Sequence, residues 1–125
     1  MAQTGLGIAL RTLRDRRTLS LREINQISGI DHAYVHRLET GEKTNPSGEL
    51  IEKLLKVLKP TDREASMVKW LVDHEADPKL VSYVLGDKGV DMELFAVAAS
   101  SMHRGSARPD PATHIARIRR ALKNS

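Results

Sequence analysis

The stretch LSLREINQISGIDHAYVHRLETGEKTNPS, residues 19–47, contains the start and end signals of two short helices. Ser20 stands before an apolar-periodic run and a glutamate follows three residues later, which is the capping-box pattern of a helix start. Gly29 ends this helix, because glycine enters the left-handed backbone conformation without steric cost. Asp31 then caps a second helix, which Gly41 closes in the same way. The stretch therefore predicts two short helices joined by a turn that contains glycine.

Two further helices flank this stretch. Residues 5–17 carry apolar side chains at the spacing of an amphipathic helix. After the stretch, Ser47 opens a helix with one apolar face, and Pro60 stops it because proline cannot continue a helix. We therefore expect residues 1–60 to form a unit of four short helices.

The chain continues with four more predicted helices that are short and strongly apolar. A helical unit of about sixty residues is marginal by itself. We therefore expect residues 61–125 to form a small helical domain that buries apolar surface in a second copy of the chain. The four start signals lie at Thr61 with Glu64, Asp77-Pro78, Asp91 and Asp110-Pro111.

The composition favours aliphatic helix packing. Of the 125 residues, 40% are hydrophobic and only 3% are aromatic, so we expect an all-α fold rather than a sandwich or barrel. The absence of cysteine excludes a disulfide, a thiolate zinc site and a thiol nucleophile. The sequence has no long apolar run of the signal-peptide or membrane-spanning kind. We therefore expect a cytoplasmic protein with no membrane partner.

The formal charge of +4 is distributed unevenly along the chain. Residues 1–60 carry ten Lys/Arg against seven Asp/Glu, residues 61–100 carry four against eight, and residues 101–125 carry six against one. Both ends are basic and the middle is acidic. Clustered positive charge is compatible with nucleic-acid binding, because Lys and Arg that neutralise phosphates release bound counterions. The alternative is a solvated helix face, which has the same composition.

Two short helices with a glycine turn form a helix-turn-helix, whose second helix enters the major groove of DNA. In detail, residues 5–58 resemble the Cro/C1-type (XRE family) repressor domain, which has the lambda-repressor-like fold. The resemblance implies that Glu39 pairs with an arginine of the first helix, and Arg14 stands at the matching position. The positions that carry it are Leu19, Ser20, Ile24, Gly29, Ile30, Tyr34, Val35, Leu38, Glu39, Gly41, Pro46 and Ser47.

The resemblance also implies which residues contact double-stranded DNA. Arginine can bond O6 and N7 of guanine, histidine can donate to a base or a phosphate, and an alanine methyl can contact thymine. Two positions depart from the family: Leu21 stands where a phosphate-binding glutamine is usual, and Asn25 stands where a small apolar residue is usual. The implied base-reading residues are His32, Ala33, His36 and Arg37, and the implied backbone contacts are Ser20, Arg22, Thr40, Lys43, Thr44 and Asn45.

Catalytic and metal-binding patterns are weak in this sequence. His32 and His36 have the spacing of a zinc-protease motif, but its glutamate is missing and no third ligand is evident. No glycine-rich phosphate loop, paired acid/base carboxylates or serine triad is visible. We therefore expect no metal, no cofactor and no enzymatic activity.

The second half has a fainter resemblance, in LVDHEADPKL (residues 71–80) and in residues 94–123. These segments look like the C-terminal domain of repressors that an ImmA/IrrE-like metalloprotease inactivates. The resemblance implies cleavage in SMHRGSARPDP, residues 101–111, and the alternative is a plain helical dimerisation domain. The candidate cleavage residues are Met102, His103, Arg104 and Gly105.

These features together predict a homodimeric transcriptional repressor. Residues 1–60 would read a palindromic operator, and residues 61–125 would dimerise and regulate. The alternative is an antitoxin that neutralises a toxin and also represses its own operon.

Overall fold

The computed structural model describes residues 3–101 and 110–123, and within these ranges all regular structure is helical. This confirms the predicted all-α fold. Within the described residues, no helix is long and apolar enough to cross a membrane. The helices are α1 (Gly5–Arg16), α2 (Leu21–Ser28), α3 (His32–Thr40), α4 (Gly48–Leu58), α5 (Asp62–Asp73), α6 (Pro78–Gly86), α7 (Met92–Ser100) and α8 (Pro111–Lys123).

The helix ends follow the local signals of the sequence. Ser20 and Glu23 form the predicted capping box of α2, with the Ser20 hydroxyl accepting from the Glu23 amide at 3.0 Å and the carboxylate accepting from the Ser20 amide at 2.9 Å. Gly29 and Gly41 take the left-handed conformation, with φ values of 78° and 85°. Helix α1 ends one residue before the predicted 5–17, since Thr18 adopts a φ of 52°. Side chains within one turn therefore determine these helix boundaries.

Helix α1 lies at the centre of the molecule. It packs against α3 on one side and against α5 and α6 on the other, while α8 packs on α6 and α7. The buried apolar side chains form one continuous core to which both halves of the chain contribute. The helices on the two sides of the predicted boundary at residue 60 are therefore joined through α1. The fully buried side chains of this core include Leu10, Ile24, Val35, Leu38, Leu54, Met67, Leu80, Val81, Phe95 and Ile115.

Two glycines allow α1 to approach its neighbours closely. A Cβ atom placed on Gly7 would lie 2.5 Å from the carbonyl oxygen of Glu39 and 2.7 Å from that of Leu38. A Cβ atom on Gly5 would lie 2.9 Å from the carbonyl oxygen of Ala76. The absence of a side chain at these positions therefore sets the distance from α1 to α3 and to the α5–α6 connection.

Polar contacts also tie α1 to the second half of the chain. Arg16 donates to the buried carboxylate of Glu64 and, at 2.7 Å, to the carbonyl oxygen of Leu85. Burial opposes the ionisation of Glu64, but hydrogen bonds from the Thr61 backbone and from Arg16 outweigh it and hold the pKa of Glu64 below its ordinary value. The Gly5 amide donates to Glu75 at 3.0 Å. The second half therefore stabilises both ends of α1.

Helix α8 is anchored near its start. His114 is buried and its Nε2 lies 2.8 Å from the carbonyl oxygen of Ala98, while Ile115 is fully buried beside it. Arg119 donates to the carbonyl oxygen of Gly89 at 3.0 Å. Beyond Ile118 the helix is exposed to solvent.

Candidate DNA interface

Helix α3 has a buried face and a solvent face. Val35, Leu38 and Glu39 are buried. The four predicted base-reading residues share the opposite face, where three side chains are exposed and the fourth is half-buried. The exposed residues are His32, His36 and Arg37, and the half-buried one is Ala33. The structure thus brings all four together on one side of a nine-residue helix.

Arg14 and Glu39 hold α3 against α1. Arg14 Nε donates to Glu39 Oε2 at 2.7 Å and Nη2 donates to Oε1 at 2.9 Å, a bidentate arrangement. Arg14 Nη1 also donates to the carbonyl oxygen of Leu19 at 2.9 Å, just before α2. The side-chain hydrogen bond to Glu39 holds the pKa of Arg14 above its ordinary value. One guanidinium group therefore connects α1 to the buried face of α3 and to the segment just before α2.

The turn between α2 and α3 is fixed by hydrogen bonds. Asn25 Nδ2 donates to the carbonyl oxygen of Ile30 at 2.8 Å, and the Ile30 amide donates to the Ser28 hydroxyl at 3.1 Å. These bonds bracket Gly29, whose positive φ reverses the chain. Asn25 therefore has a structural role in setting the angle between the two helices.

The segment after α3 lies beside the second half of the chain. Gly41 ends the helix, and the Lys43 amide donates to the carbonyl oxygen of Arg37 at 3.0 Å. Three predicted phosphate contacts in this segment are exposed and line a cleft with the end of α5 and the residues that follow it. They are Lys43, Thr44 and Asn45, and the facing residues are Asp73, His74 and Glu75.

The remaining predicted backbone contacts lie at the start of α2 and the end of α3. Ser20 and Arg22 are exposed, and the Ser20 oxygen accepts the capping bond of α2. Thr40 is half-buried at the end of α3. A cleft between α1 and α3 joins these two regions, because it is lined by Leu21 from α2 as well as by His36 and Thr40.

Acidic side chains lie near two exposed nitrogen-bearing side chains of α3. Arg37 Nε lies 3.9 Å from Glu42 Oε2, and His32 Nδ1 lies 3.8 Å from Asp31 Oδ1. Both contacts are long and about half exposed, so each contributes little to stability and leaves the Arg37 and His32 side chains accessible. Within residues 3–101 and 110–123, no three His, Cys, Asp or Glu side chains are grouped as a metal site.

A known protein family matches the first half of the chain. Residues 6–66 match the family model of the helix-turn-helix domain. The N-terminal half is a helix-turn-helix domain. The match includes the start of α5. Helices α3 and α5 both pack on α1. In helix-turn-helix domains as a class, the second helix of the motif is the one that enters the DNA groove, and α3 has that position here. No curated protein matches the chain.

Sequence reasoning missed the structural roles of three residues in this helix-turn-helix domain. Gly7 permits the contact between α1 and α3, Asn25 braces the turn, and Arg11 lines the cleft beside α3. The amphipathic pattern of α1 places Arg11 on its polar side, but nothing local indicates which helix lies next to it. The predicted cleavage residues, Met102, His103, Arg104 and Gly105, lie outside the described residues, and this stays a prediction.

Proposed function

We propose that the protein is a transcriptional repressor that binds a palindromic operator as a homodimer. The observation that carries this proposal is the solvent face of α3, where His32, Ala33, His36 and Arg37 lie together. A rigid core and the Arg14–Glu39 pair support that face from behind. Rigid support matters because base readout needs donors held at fixed positions in the groove.

Two kinds of contact follow from this arrangement. Arg37 would bond O6 and N7 of a guanine, while the two histidines and Ala33 would select neighbouring bases. The exposed groups at the start of α2 and after α3 would bind phosphates and set the register of the domain on DNA without reading sequence. These groups are Ser20, Arg22, Thr40, Lys43, Thr44 and Asn45.

The homodimer is proposed because a nine-residue helix spans only a short DNA site. Helix-turn-helix proteins of this kind lengthen the site by binding two half-sites about one helical turn apart through a two-fold dimer. Apolar side chains in the second half support this, since Val97 and Ile118 are only partly buried.

The proposal is tested by selecting duplexes from a random-sequence pool with the full chain. The expected product is an inverted repeat, and a reporter promoter that carries it should lose expression when the protein is produced. Selection of a single asymmetric site would contradict the dimer, and increased reporter expression would contradict repression.

Arg37→Ala tests base readout directly. We expect it to weaken binding to the selected duplex by roughly 1 to 3 kcal/mol and to relax the base preference at one position per half-site. Binding to a scrambled duplex should change much less. The matched control is Lys69→Gln, which removes one positive charge from the exposed pair that Lys69 of α5 forms with Glu52 of α4. Equal losses on the two duplexes for Arg37→Ala would show that it does not read a base.

We also propose that proteolysis between about Met102 and Gly105 inactivates the repressor, as the second resemblance implies. Support comes from α8, which is held to α7 by buried His114 and Ile115. Loss of α8 would uncover apolar surface on α7 and weaken the second half. Incubation with an ImmA/IrrE-like metalloprotease and mass measurement of the fragments tests this. No cut between residues 98 and 108, or a cut product that is still dimeric and still binds the selected duplex, would contradict it.

A further inference from the structure

A cleft of about 460 Å³ lies between α1 and α3, beside the face of α3 proposed to read bases. His36 and Thr40 of α3 form one wall, and Gln3 and Arg11 come from the N-terminal segment and α1. The cleft therefore joins the reading face to a positively charged position on another helix.

The position of Arg11 follows from the packing of α1. Gly7, Arg11 and Arg14 are four and three residues apart, so they share one side of the helix. Gly7 lies against the α3 backbone, and Arg14 bonds the Glu39 side chain. Arg11 lies between Gly7 and Arg14 on this side of α1. Its side chain is therefore next to the flank of α3.

The charges of the cleft are unequal. Arg14 is balanced by the carboxylate of Glu39, because the two form a bidentate pair. Among the residues that the structure describes, the one ion-pair contact of Arg11 is a long contact of 3.9 Å to Asp15, and the two side chains are 60% and 63% exposed. Such an exposed pair is weak and is readily exchanged for another anion. Arg11 therefore supplies accessible positive charge beside the reading face.

We propose that Arg11 binds a phosphate of the DNA strand that borders the groove read by α3, with the Gln3 side chain as a second donor. This rests on the proposed function, in which α3 enters the major groove. The groove is about 12 Å wide and a helix with its side chains is about as thick, so elements on the flank of α3 face the sugar-phosphate backbone. Guanidinium groups bind phosphate strongly through charge-assisted hydrogen bonds.

The test measures binding of the full chain to the selected duplex and to a scrambled duplex over a series of salt concentrations. Each phosphate contact contributes about 0.9 to the slope of log K against log salt. We expect Arg11→Gln to reduce the slope by about 1 and to weaken binding to both duplexes by the same factor. Arg11→Lys should retain the slope, because it keeps the charge.

Controls separate a phosphate contact from a structural effect. Lys69→Gln also removes one positive charge, but on α5, and it should leave the slope of log K against log salt unchanged. An unchanged slope for Arg11→Gln overturns the proposal, even if affinity falls together with the melting temperature. If the wild-type protein binds both duplexes equally, sequence-specific readout is wrong, and the slope of Arg11→Gln still decides the role of Arg11.

Discussion

Gly7→Ala should destabilise the protein by about 3 kcal/mol or more and should abolish tight DNA binding, because the added methyl group meets two backbone carbonyls of α3. The contact distances of 2.5 and 2.7 Å are well inside van der Waals separation. Inserting a methylene into a packed site typically costs 1–3 kcal/mol, and backbone atoms have less freedom to move aside than side chains do. The gain in helix propensity from glycine to alanine, about 1 kcal/mol, is too small to offset this.

Urea denaturation of the full chain measures the effect. The matched control is Gly48→Ala at the start of α4, where no described heavy atom beyond its chain neighbours and its own helix backbone lies within 4 Å of the new Cβ. That change should be neutral or stabilising by about 0.4–1 kcal/mol, since alanine restricts the unfolded chain. A Gly7→Ala protein as stable as Gly48→Ala would mean that α1 and α3 are not in close contact.

Glu39→Ala should have the second-largest effect and should lower stability and DNA affinity together. Glu39 is buried and bonds Arg14 through both of its oxygens. Breaking a buried pair by removing one partner costs about 3–5 kcal/mol, and we expect about 2–3 kcal/mol here because Arg14 retains its bond to the Leu19 carbonyl and is partly exposed. Affinity falls as well, because the pair connects α3 to α1.

A matched glutamate provides the control for this prediction. Glu42→Ala removes an exposed carboxylate that lies 3.9 Å from Arg37, so it should change stability by less than about 0.5 kcal/mol. Thermal unfolding and binding to the selected duplex should be measured for both variants. If Glu39→Ala and Glu42→Ala unfold at the same temperature, the Arg14–Glu39 pair does not hold α3 in place.

The sequence by itself determined the class of fold and most helix boundaries. Ser20 with Glu23, and Thr61 with Glu64, form the two predicted capping boxes. A cap depends on side chains within one turn of the helix end, so a local pattern contains all the information that it needs. For the same reason, the period of α3 was sufficient to separate Val35 and Leu38 from the exposed side of the helix.

The resemblance to a known family supplied the pair that a local pattern lacks. Arg14 and Glu39 belong to different helices, and nothing in their own neighbourhoods indicates that they meet. The structure places them in a bidentate contact. The family pattern carried this information because it relates positions that are distant in sequence.

The tertiary structure alone decided how the two halves of the chain are joined. Helix α1 serves both, through the contact of Gly7 with α3 and the bonds of Arg16 to Glu64 and Leu85. The apolar pattern of α1 indicates that it has a buried side but not which helices cover it. A helix acquires its close contacts only when the chain packs. The packing of α3 against α1 therefore decides that position 7 must be glycine and that Arg11 lies exposed beside α3.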